Sequence, residues 1–219
     1  MSDLARPRAL LFDWDNTLID SWAAIHRALG VTLTAMGHQP WTYEQTLQRV
    51  RASARDAFPA LFGDRAPEAM DLFYKTFEAD HLEHLRERAG AGAMLQSLAE
   101  ADDLYLAVVS NKAGRILRRE ADHLGWAEFF SRIVGAGDAA RDKPAVEAVD
   151  LALDGSGLAP GPDVWFVGDT DIDMQCAANA GCRRVLVRPV APGPGEFGQA
   201  EPELHVASCG DFLKVIRAL

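Results

Sequence analysis

The 219-residue sequence is poor in cysteine and contains no long apolar run. Its three cysteines, Cys176, Cys182 and Cys209, are an odd number, which argues against a disulfide framework. Cys176 and Cys182 lie among small apolar residues without a second pair at zinc-site spacing, so we expect them to pack in the core. No segment approaches the ~20 apolar residues of a membrane helix, and the first residues lack the apolar stretch of a secretory signal. We therefore expect a cytoplasmic protein with no membrane partner.

Positive charge is also scarce, with 22 Lys and Arg residues against 32 Asp and Glu residues and a formal net charge of −10. A field of this sign repels nucleic acid and anionic membranes, so we expect neither as a partner. Phosphate groups are repelled as well. A phosphate site in this chain would therefore need a local cation.

Short apolar runs rich in β-formers recur along the chain, and helix-like stretches separate most of them. The runs are Ala9–Phe12, Leu104–Val109, Ile133–Val134, Val164–Val167 and Val185–Val187, with a last strand around Leu204–Ala207 and a terminal helix from Asp211. Continuous apolar strands that alternate with helices indicate a parallel sheet covered on both faces. The predicted fold class is α/β, a Rossmann-like parallel sheet with helices on both faces.

One connection is much longer than a crossover needs, since about ninety residues separate the first strand from the second. This stretch is mostly helical in pattern. Ser21 is a predicted N-cap, apolar positions three or four apart follow it, and a second helical pattern covers Glu68–Arg88. We predict an inserted helical domain at residues 21–89, above an α/β core formed by residues 1–20 and 90–219.

Two carboxylates follow the first strand, in the segment Asp13-Trp14-Asp15-Asn16-Thr17. Asp13 and Asp15 would point to the same side if the backbone stays extended, and ligand sites of open α/β sheets lie beyond the carboxyl ends of the strands. Two close carboxylates repel each other, so one would be protonated unless a cation intervenes. Mg²⁺ suits such a site because it binds one or two carboxylates and shares phosphate oxygens.

Three further polar groups occupy comparable places. Ser110 and Asn111 are predicted to end the second strand, Lys143 lies at the predicted start of a helix, and the acidic run Asp169–Asp173 follows the strand Val164–Val167. Taken singly, Ser110-Asn111 and the acidic run are explained equally well as turn residues or helix caps, and Lys143 is explained better as a solvated surface charge. Their common position at strand ends, in a fixed order, favours a single site.

Together the four groups resemble the motifs of the haloacid dehalogenase-like hydrolases: Asp-x-Asp-x-Thr at 13–17, Ser110, Lys143, and Gly168-Asp169-x-x-x-Asp173. The resemblance covers the whole chain and includes a helical cap inserted between the first two motifs, as in phosphoglycolate phosphatase-like members. Asn16 departs from the family pattern, which usually has Gly there. Because Asn tolerates left-handed backbone better than most residues, we predict a positive φ or a bridge-like geometry at Asn16.

The resemblance implies a magnesium-dependent phosphatase acting on a small phosphorylated metabolite, as a monomer or homodimer. It implies that Asp13 attacks phosphorus to form an aspartyl-phosphate and that Asp15 serves as general acid and base. It places Mg²⁺ on the Asp13 carboxylate, the Asp15 carbonyl and Asp169, with Asp173 supporting the metal or orienting Lys143.

The phosphoryl oxygens would then be held by Ser110, Asn111 and Lys143, together with Trp14 and Thr17 of the first motif. The ring of Trp14 is expected to be buried, so that only its backbone would be useful. Arg51 and Arg55, four residues apart on a predicted helix, are candidates to contact an anionic substrate, although a solvated helix face explains them more simply.

Several alternatives remain open at this stage. A sugar phosphomutase of the same superfamily is the main one. Dehalogenase members lack an acid at the position of Asp15, and phosphonate-cleaving members need an early cap lysine, which residues 21–74 do not contain. A phosphorylated receiver domain would be shorter and lack the insert. A dinucleotide fingerprint at Gly135-x-Gly137-x-x-Ala140 is loose, and Lys143-Pro144 interrupts the helix that should follow it.

Overall fold

The computed structural model describes residues 4–101 and 103–219. Within them, one sheet contains six strands: β1 (Ala9–Phe12), β2 (Tyr105–Ala113), β3 (Arg132–Ala136), β4 (Val164–Gly168), β5 (Arg183–Val187) and β6 (Leu204–Val206). The spatial order is β3-β2-β1-β4-β5-β6, and every neighbouring pair is parallel. The predicted α/β fold with a parallel sheet is confirmed.

The helices of the described residues fall into two groups. Four lie between β1 and β2 in the predicted insert: α1 (Trp22–Ala35), α2 (Tyr43–Arg49), α3 (Ala54–Phe62) and α4 (Ala66–Glu78). Five accompany the sheet: α5 (Ala91–Ala99), α6 (Gly114–His123), α7 (Glu147–Leu153), α8 (Asp171–Asn179) and α9 (Cys209–Arg217). None of them is both long and apolar enough to cross a membrane.

Both faces of the sheet are buried. Consecutive strand residues point to opposite sides, so each apolar strand contributes side chains to both faces. Leu10 and Phe12 of β1 belong to one apolar cluster, which includes residues of α5, α6 and α9, whereas Ala9 and Leu11 belong to another, with residues of α7 and α8. The cysteines are part of this interior: Cys176 and Cys182 lie in the second cluster, Cys209 in the first, and all three are free thiols. The predicted core positions of Cys176 and Cys182 are confirmed.

The insert has a core of its own. Apolar side chains of α1, α3 and α4 form this cluster, to which Ile116 of α6 also belongs. The predicted helix over Glu68–Arg88 is wrong beyond Glu78, where α4 ends. The reason is the return of the chain to the sheet: Arg86 accepts a backbone hydrogen bond from Asp20, and Arg88 donates one to Leu18. Residues that pair in this way with the segment after β1 cannot remain helical.

Two predictions about strand and helix ends are also wrong. Ser110 and Asn111 do not end the second strand, because β2 continues to Ala113 through an irregular stretch in which Val109 pairs with Val134 and Ala113 with Ala136. Lys143 does not begin a helix, since it lies in the loop before α7. The polar residues of both motifs nevertheless remain at the carboxyl edge of the sheet.

Candidate active site

Asp13 stands directly after β1, and its backbone N–H donates to the carbonyl of Val167 on β4. Its carboxylate Oδ1 lies 2.6 Å from Lys143 Nζ, and the same ammonium lies 2.7 Å from Oδ1 of Asp173. Lys143 is only 2% exposed, so it is not a solvated surface charge. The ammonium therefore bridges two carboxylates that come from different strand ends.

A third carboxylate completes this group. Oxygen atoms of Asp13, Asp169 and Asp173 all lie within 4.8 Å of one another, and Thr17 Oγ1 donates to Asp169 Oδ1 at 3.2 Å. Burial raises the pKa of Asp13 to about 7 even though Lys143 opposes the shift, and burial followed by Asp173 and Asp13 raises the pKa of Asp169. One lysine does not balance the charge of three carboxylates, of which Asp13 and Asp173 are buried and Asp169 is half-buried. Hard oxygen donors with surplus negative charge are a donor set that fits Mg²⁺.

Asp173 is held at the start of α8. Its Oδ2 accepts hydrogen bonds from Thr170 Oγ1 at 2.8 Å, from the Thr170 amide at 3.0 Å and from the Asp169 amide at 3.2 Å. Gly168 makes this arrangement possible, because a Cβ added there would lie 2.4 Å from the Cβ of Asp173. One oxygen of Asp173 is therefore fixed by the start of the helix, and the other contacts the Lys143 ammonium.

Asn16 has a φ of 65°, which confirms the predicted positive φ. Its Oδ1 accepts a hydrogen bond from the amide of Ser21 at 3.2 Å. Ser21 directly precedes α1 as predicted, but its side chain makes no capping hydrogen bond. The local turn thus carries the chain from Asp13 into the insert.

Of the other residues predicted for the site, Ser110 and Asn111 line the cavity, and the Trp14 ring lies behind its wall. Ser110 and Asn111 line the same cavity as Asp13, and Asn111 Nδ2 donates to the backbone carbonyl of Lys143 at 3.1 Å. Trp14 is fully buried against Trp126, as expected, so its ring lies behind the cavity wall.

Asp15 is set apart from the three clustered carboxylates and contacts a lysine that the sequence analysis missed. Lys112 Nζ lies 2.7 Å from Asp15 Oδ1 and 2.6 Å from Glu120 Oε2, which also accepts from Trp14 Nε1 at 2.7 Å. The sequence contained one indication that Lys112 belongs to the site. Lys112 is two residues after Ser110, and side chains two apart on a strand point to the same side. Glu120, on the polar-looking helix α6, gave no such signal.

A cavity that is partly open to solvent joins these residues to the insert. Its floor holds the acidic residues, Ser110, Asn111 and both lysines. Its walls are largely apolar and include six aromatic side chains: Trp22, Trp41, Phe58, Phe73, Tyr74 and Phe77.

The two arginines predicted as substrate contacts, Arg51 and Arg55, lie in different places. Arg51 lies between α2 and α3 rather than on a helix, lines the cavity, and pairs with Asp171 at 3.0 Å. Arg55, on α3, pairs instead with Asp142 at 2.8 Å and lines a different surface depression. Their prediction as one helical pair is wrong, because the chain leaves the helical conformation after Arg49 and resumes it at Ala54.

Comparison with known proteins gives a consistent result. A model of the haloacid dehalogenase-like hydrolase family matches residues 10–187. The chain is 28% identical to a phosphoglycolate phosphatase of Aquifex aeolicus over 210 residues, covering 95% of this chain and 96% of the relative. It is 25% identical to the pyrophosphatase PpaX of Halalkalibacterium halodurans over 207 residues, covering 94% and 95%.

Solved structures resemble the chain over nearly its full length. A haloacid dehalogenase-superfamily hydrolase from Ehrlichia chaffeensis is 29% identical, with a TM-score of 0.66 and 99% coverage of both chains. A haloacid dehalogenase-like hydrolase from Streptococcus pneumoniae is 21% identical, with a TM-score of 0.80, covering 94% of this chain and 97% of the other. At this identity, the similarity shows a shared fold only.

Proposed function

The chain belongs to the haloacid dehalogenase-like hydrolase family, and from that membership we propose that it is a magnesium-dependent phosphatase of small phosphate monoesters. One observation carries the proposal: the buried Asp13 carboxylate lies at the end of β1, beside Lys143 and two further carboxylates, and lines the main cavity. Sugar phosphomutase is the less favoured alternative, because the relatives compared above are named phosphatase and pyrophosphatase.

In the proposed reaction, a carboxylate oxygen of Asp13 attacks phosphorus while the bond to the leaving oxygen breaks, giving an aspartyl-phosphate. Asp15 gives its proton to the leaving alkoxide. It then takes a proton from the water that attacks the aspartyl-phosphate, so that inorganic phosphate is released and both carboxyl groups return to their initial state. The position of Asp15, two residues after Asp13 and on the same cavity, suits both roles.

The remaining residues stabilise charge. Ser110 and Asn111, together with backbone amides after Asp13 in the segment through Trp14 and Thr17, would hold the phosphoryl oxygens, and Lys143 would offset their charge. The carboxylates of Asp13 and Asp169 and the backbone carbonyl of Asp15 would hold Mg²⁺, with Asp173 in support. When bound, the ion neutralises charge on the phosphoryl group.

We also propose that residues 21–89 act as a cap that excludes water and contacts the leaving group. The cap side of the cavity is mostly aromatic and apolar. Of its two arginines, Arg51 is paired with Asp171, and the guanidinium of Arg49 lies over the Trp41 ring. A leaving group with apolar surface is therefore favoured over a small anionic one. Each methylene that the wall buries is expected to raise kcat/KM about fourfold.

The test is a screen of phosphate esters with Mg²⁺ that measures released phosphate. It includes phosphoglycolate, pyrophosphate, sugar phosphates and a series from methyl to butyl phosphate, which hold the leaving-group chemistry nearly constant. We expect hydrolysis that increases along the alkyl series. A preference for phosphoglycolate over every alkyl ester would contradict the proposed leaving-group class but leave phosphatase activity intact.

The nucleophile is tested by Asp13→Asn, which should reduce turnover below about one-thousandth of the wild-type rate. The matched control is Asp163→Asn, because Asp163 is exposed and precedes β4 at the opposite edge of the sheet. This control should retain full activity. Substantial turnover by a clean Asp13→Asn preparation would refute the assignment.

A further inference from the structure

A second buried group of charges lies beside the phosphoryl site. Lys112 of β2 stands between Asp15, at 2.7 Å, and Glu120 of α6, at 2.6 Å. The Lys112 side chain is 5% exposed and that of Glu120 is fully buried. Burial lowers the pKa of Lys112, but Asp15 and Glu120 outweigh burial and keep it above its ordinary value, so the lysine is charged.

Such a group is costly to bury. Charges taken out of water lose solvation that their mutual attraction only partly restores, and apolar residues of similar volume often stabilise a fold equally well. Here β2 and α6 already share an apolar contact with the rest of the core, to which Leu117 and Ala121 of α6 belong. Packing alone therefore does not account for Lys112 and Glu120.

The geometry indicates which group the lysine serves. Its ammonium contacts the carboxylate of Asp15, whereas the ammonium of Lys143 contacts Asp13 and Asp173. The two lysines thus divide the acidic residues between them. Lys112 belongs with the proton-transfer residue rather than with the clustered carboxylates.

The lysine is itself held on its other sides. Glu120 accepts from both Lys112 and Trp14 Nε1, so the residue between the two catalytic aspartates is tied to the same carboxylate. The ring of Phe77, from α4 in the insert, lies 5.0 Å from Lys112 Nζ, within the range of a cation–π contact. Contacts from α6, the first motif and the insert leave the ammonium little freedom.

We infer that Lys112, held by Glu120, is a positioning residue that fixes the Asp15 carboxylate for proton transfer to the leaving group. This inference rests on the proposed phosphatase function. Asp15 lines the cavity with its side chain 20% exposed, and Lys112 holds Oδ1. The other oxygen, Oδ2, is left to give its proton to the leaving alkoxide and later to take one from the attacking water.

The test compares two esters that differ in their need for an acid. Departure of an alkoxide from an alkyl phosphate requires a proton, whereas 2,4-dinitrophenolate leaves without one. Values of kcat/KM report the steps up to aspartyl-phosphate formation, so its later hydrolysis does not affect them. For Lys112→Met we expect a loss of about 10²-fold or more with butyl phosphate and less than about tenfold with 2,4-dinitrophenyl phosphate.

Two further variants separate positioning from folding. Lys112→Arg keeps the charge and should restore most of the activity with butyl phosphate. Glu120→Gln keeps a hydrogen-bond acceptor for Trp14 but weakens the hold on Lys112, so it should shift the ratio of the two esters in the same direction as Lys112→Met. It provides the comparison if Lys112→Met does not fold. Lys75→Met, at an exposed lysine of α4, should leave both esters unaffected.

The outcomes are distinct. Equal losses with both esters, or no loss with either, in folded Lys112→Met or Glu120→Gln would overturn the positioning role. Release of phosphate from neither ester by the wild type would instead refute the proposed function, and the inference with it. A changed ratio with an unchanged Mg²⁺ requirement supports Lys112 as the anchor of Asp15.

Discussion

At the end of β1, Asn16 adopts a φ of 65° and closes its turn with a side-chain bond to the Ser21 amide. Left-handed backbone is unfavourable for residues that carry a Cβ, and Asn is among the few non-glycine residues that adopt it regularly. Glycine would satisfy the φ value but could not provide Oδ1. The residue at this position therefore combines a backbone requirement with a hydrogen bond.

Substitution of Asn16 separates the two contributions. Asn16→Gly loses the hydrogen bond and keeps an easy φ, whereas Asn16→Ala loses the bond and also strains the backbone. We expect the Ala variant to be less stable than the Gly variant by about 1 kcal/mol, measured by urea denaturation. An Ala variant as stable as the Gly variant would show that the turn relaxes away from positive φ.

Gly168 is a second residue where the absence of a side chain matters. Gly168→Ala would drive a methyl group into Asp173, which must move away from Lys143. We expect a loss of about 1–3 kcal/mol in unfolding free energy, together with a large fall in kcat. The control is Gly161→Ala, since a Cβ there meets only the Ala159 carbonyl at 3.9 Å. Full activity of Gly168→Ala would mean that the position of Asp173 is not critical.

At the level of secondary structure, apolar runs predicted where strands lie but not how far they continue. β1 was predicted to the residue because Asp13 ends its apolar run, whereas β2 continues through Ser110, Asn111 and Lys112. The polar continuation is stabilised by pairing with β3 and by the buried partners of these side chains. The local hydrophobic pattern predicts neither the pairing with β3 nor the buried partners. The end of α4 was predicted wrongly for the same reason, because it is set by the pairing of residues 86 and 88 with residues 20 and 18.

Helix α1 contains a replaceable residue. Gly30 lies within α1, its φ is not positive, and a Cβ added there would meet nothing within 4 Å. Because glycine in a helix interior is destabilising relative to alanine, Gly30→Ala should raise the unfolding free energy by about 0.5–1 kcal/mol. Thermal denaturation with an activity assay checks this: a lower melting temperature would contradict it, and phosphatase activity should stay unchanged.

Over the whole molecule, the sequence predicted the convergence of Asp13, Lys143, Asp169 and Asp173, because the carboxyl ends of parallel strands share one edge. It did not predict the Lys112–Glu120 pair. Glu120 is fully buried, yet its helix is among the most charged stretches of the chain. Only the tertiary contact between α6 and the first motif distinguishes this glutamate from its solvated neighbours.

The clustered carboxylates should make the stability of the metal-free protein depend on pH. Burial raises the pKa of Asp13 from 3.8 to about 7, so between these values the folded chain holds a proton that the unfolded chain has lost. Stability therefore falls as pH rises from about 4 to 7. Mg²⁺ binding requires the ionised carboxylates and should therefore stabilise the fold more at pH 7 than at pH 5. At a Mg²⁺ concentration a hundred times the Kd at pH 7, the total stabilisation at that pH should be about 2.7 kcal/mol.

Urea denaturation at several pH values, with EDTA or with Mg²⁺, measures both effects. His81 contributes a slope of opposite sign, because burial lowers its pKa. Comparison with Asp13→Asn isolates the aspartate: this variant should lose less stability than the wild type between pH 4 and 7 in EDTA. Identical pH profiles for the two proteins would show that Asp13 is not the group responsible.

The central place of β1 in the sheet has a consequence for biosynthesis. β1 leaves the ribosome first among the strands, but its two neighbours are β2 and β4, and Thr17 meets Asp169 across 152 residues of sequence. At ordinary translation speeds that interval lasts roughly 8 to 30 seconds. During it, the apolar segment Ala9–Phe12 is without one of its partner strands. The nascent chain therefore carries an unpaired, aggregation-prone strand edge, and the acidic cluster can form only after β4 and the start of α8 have been synthesised.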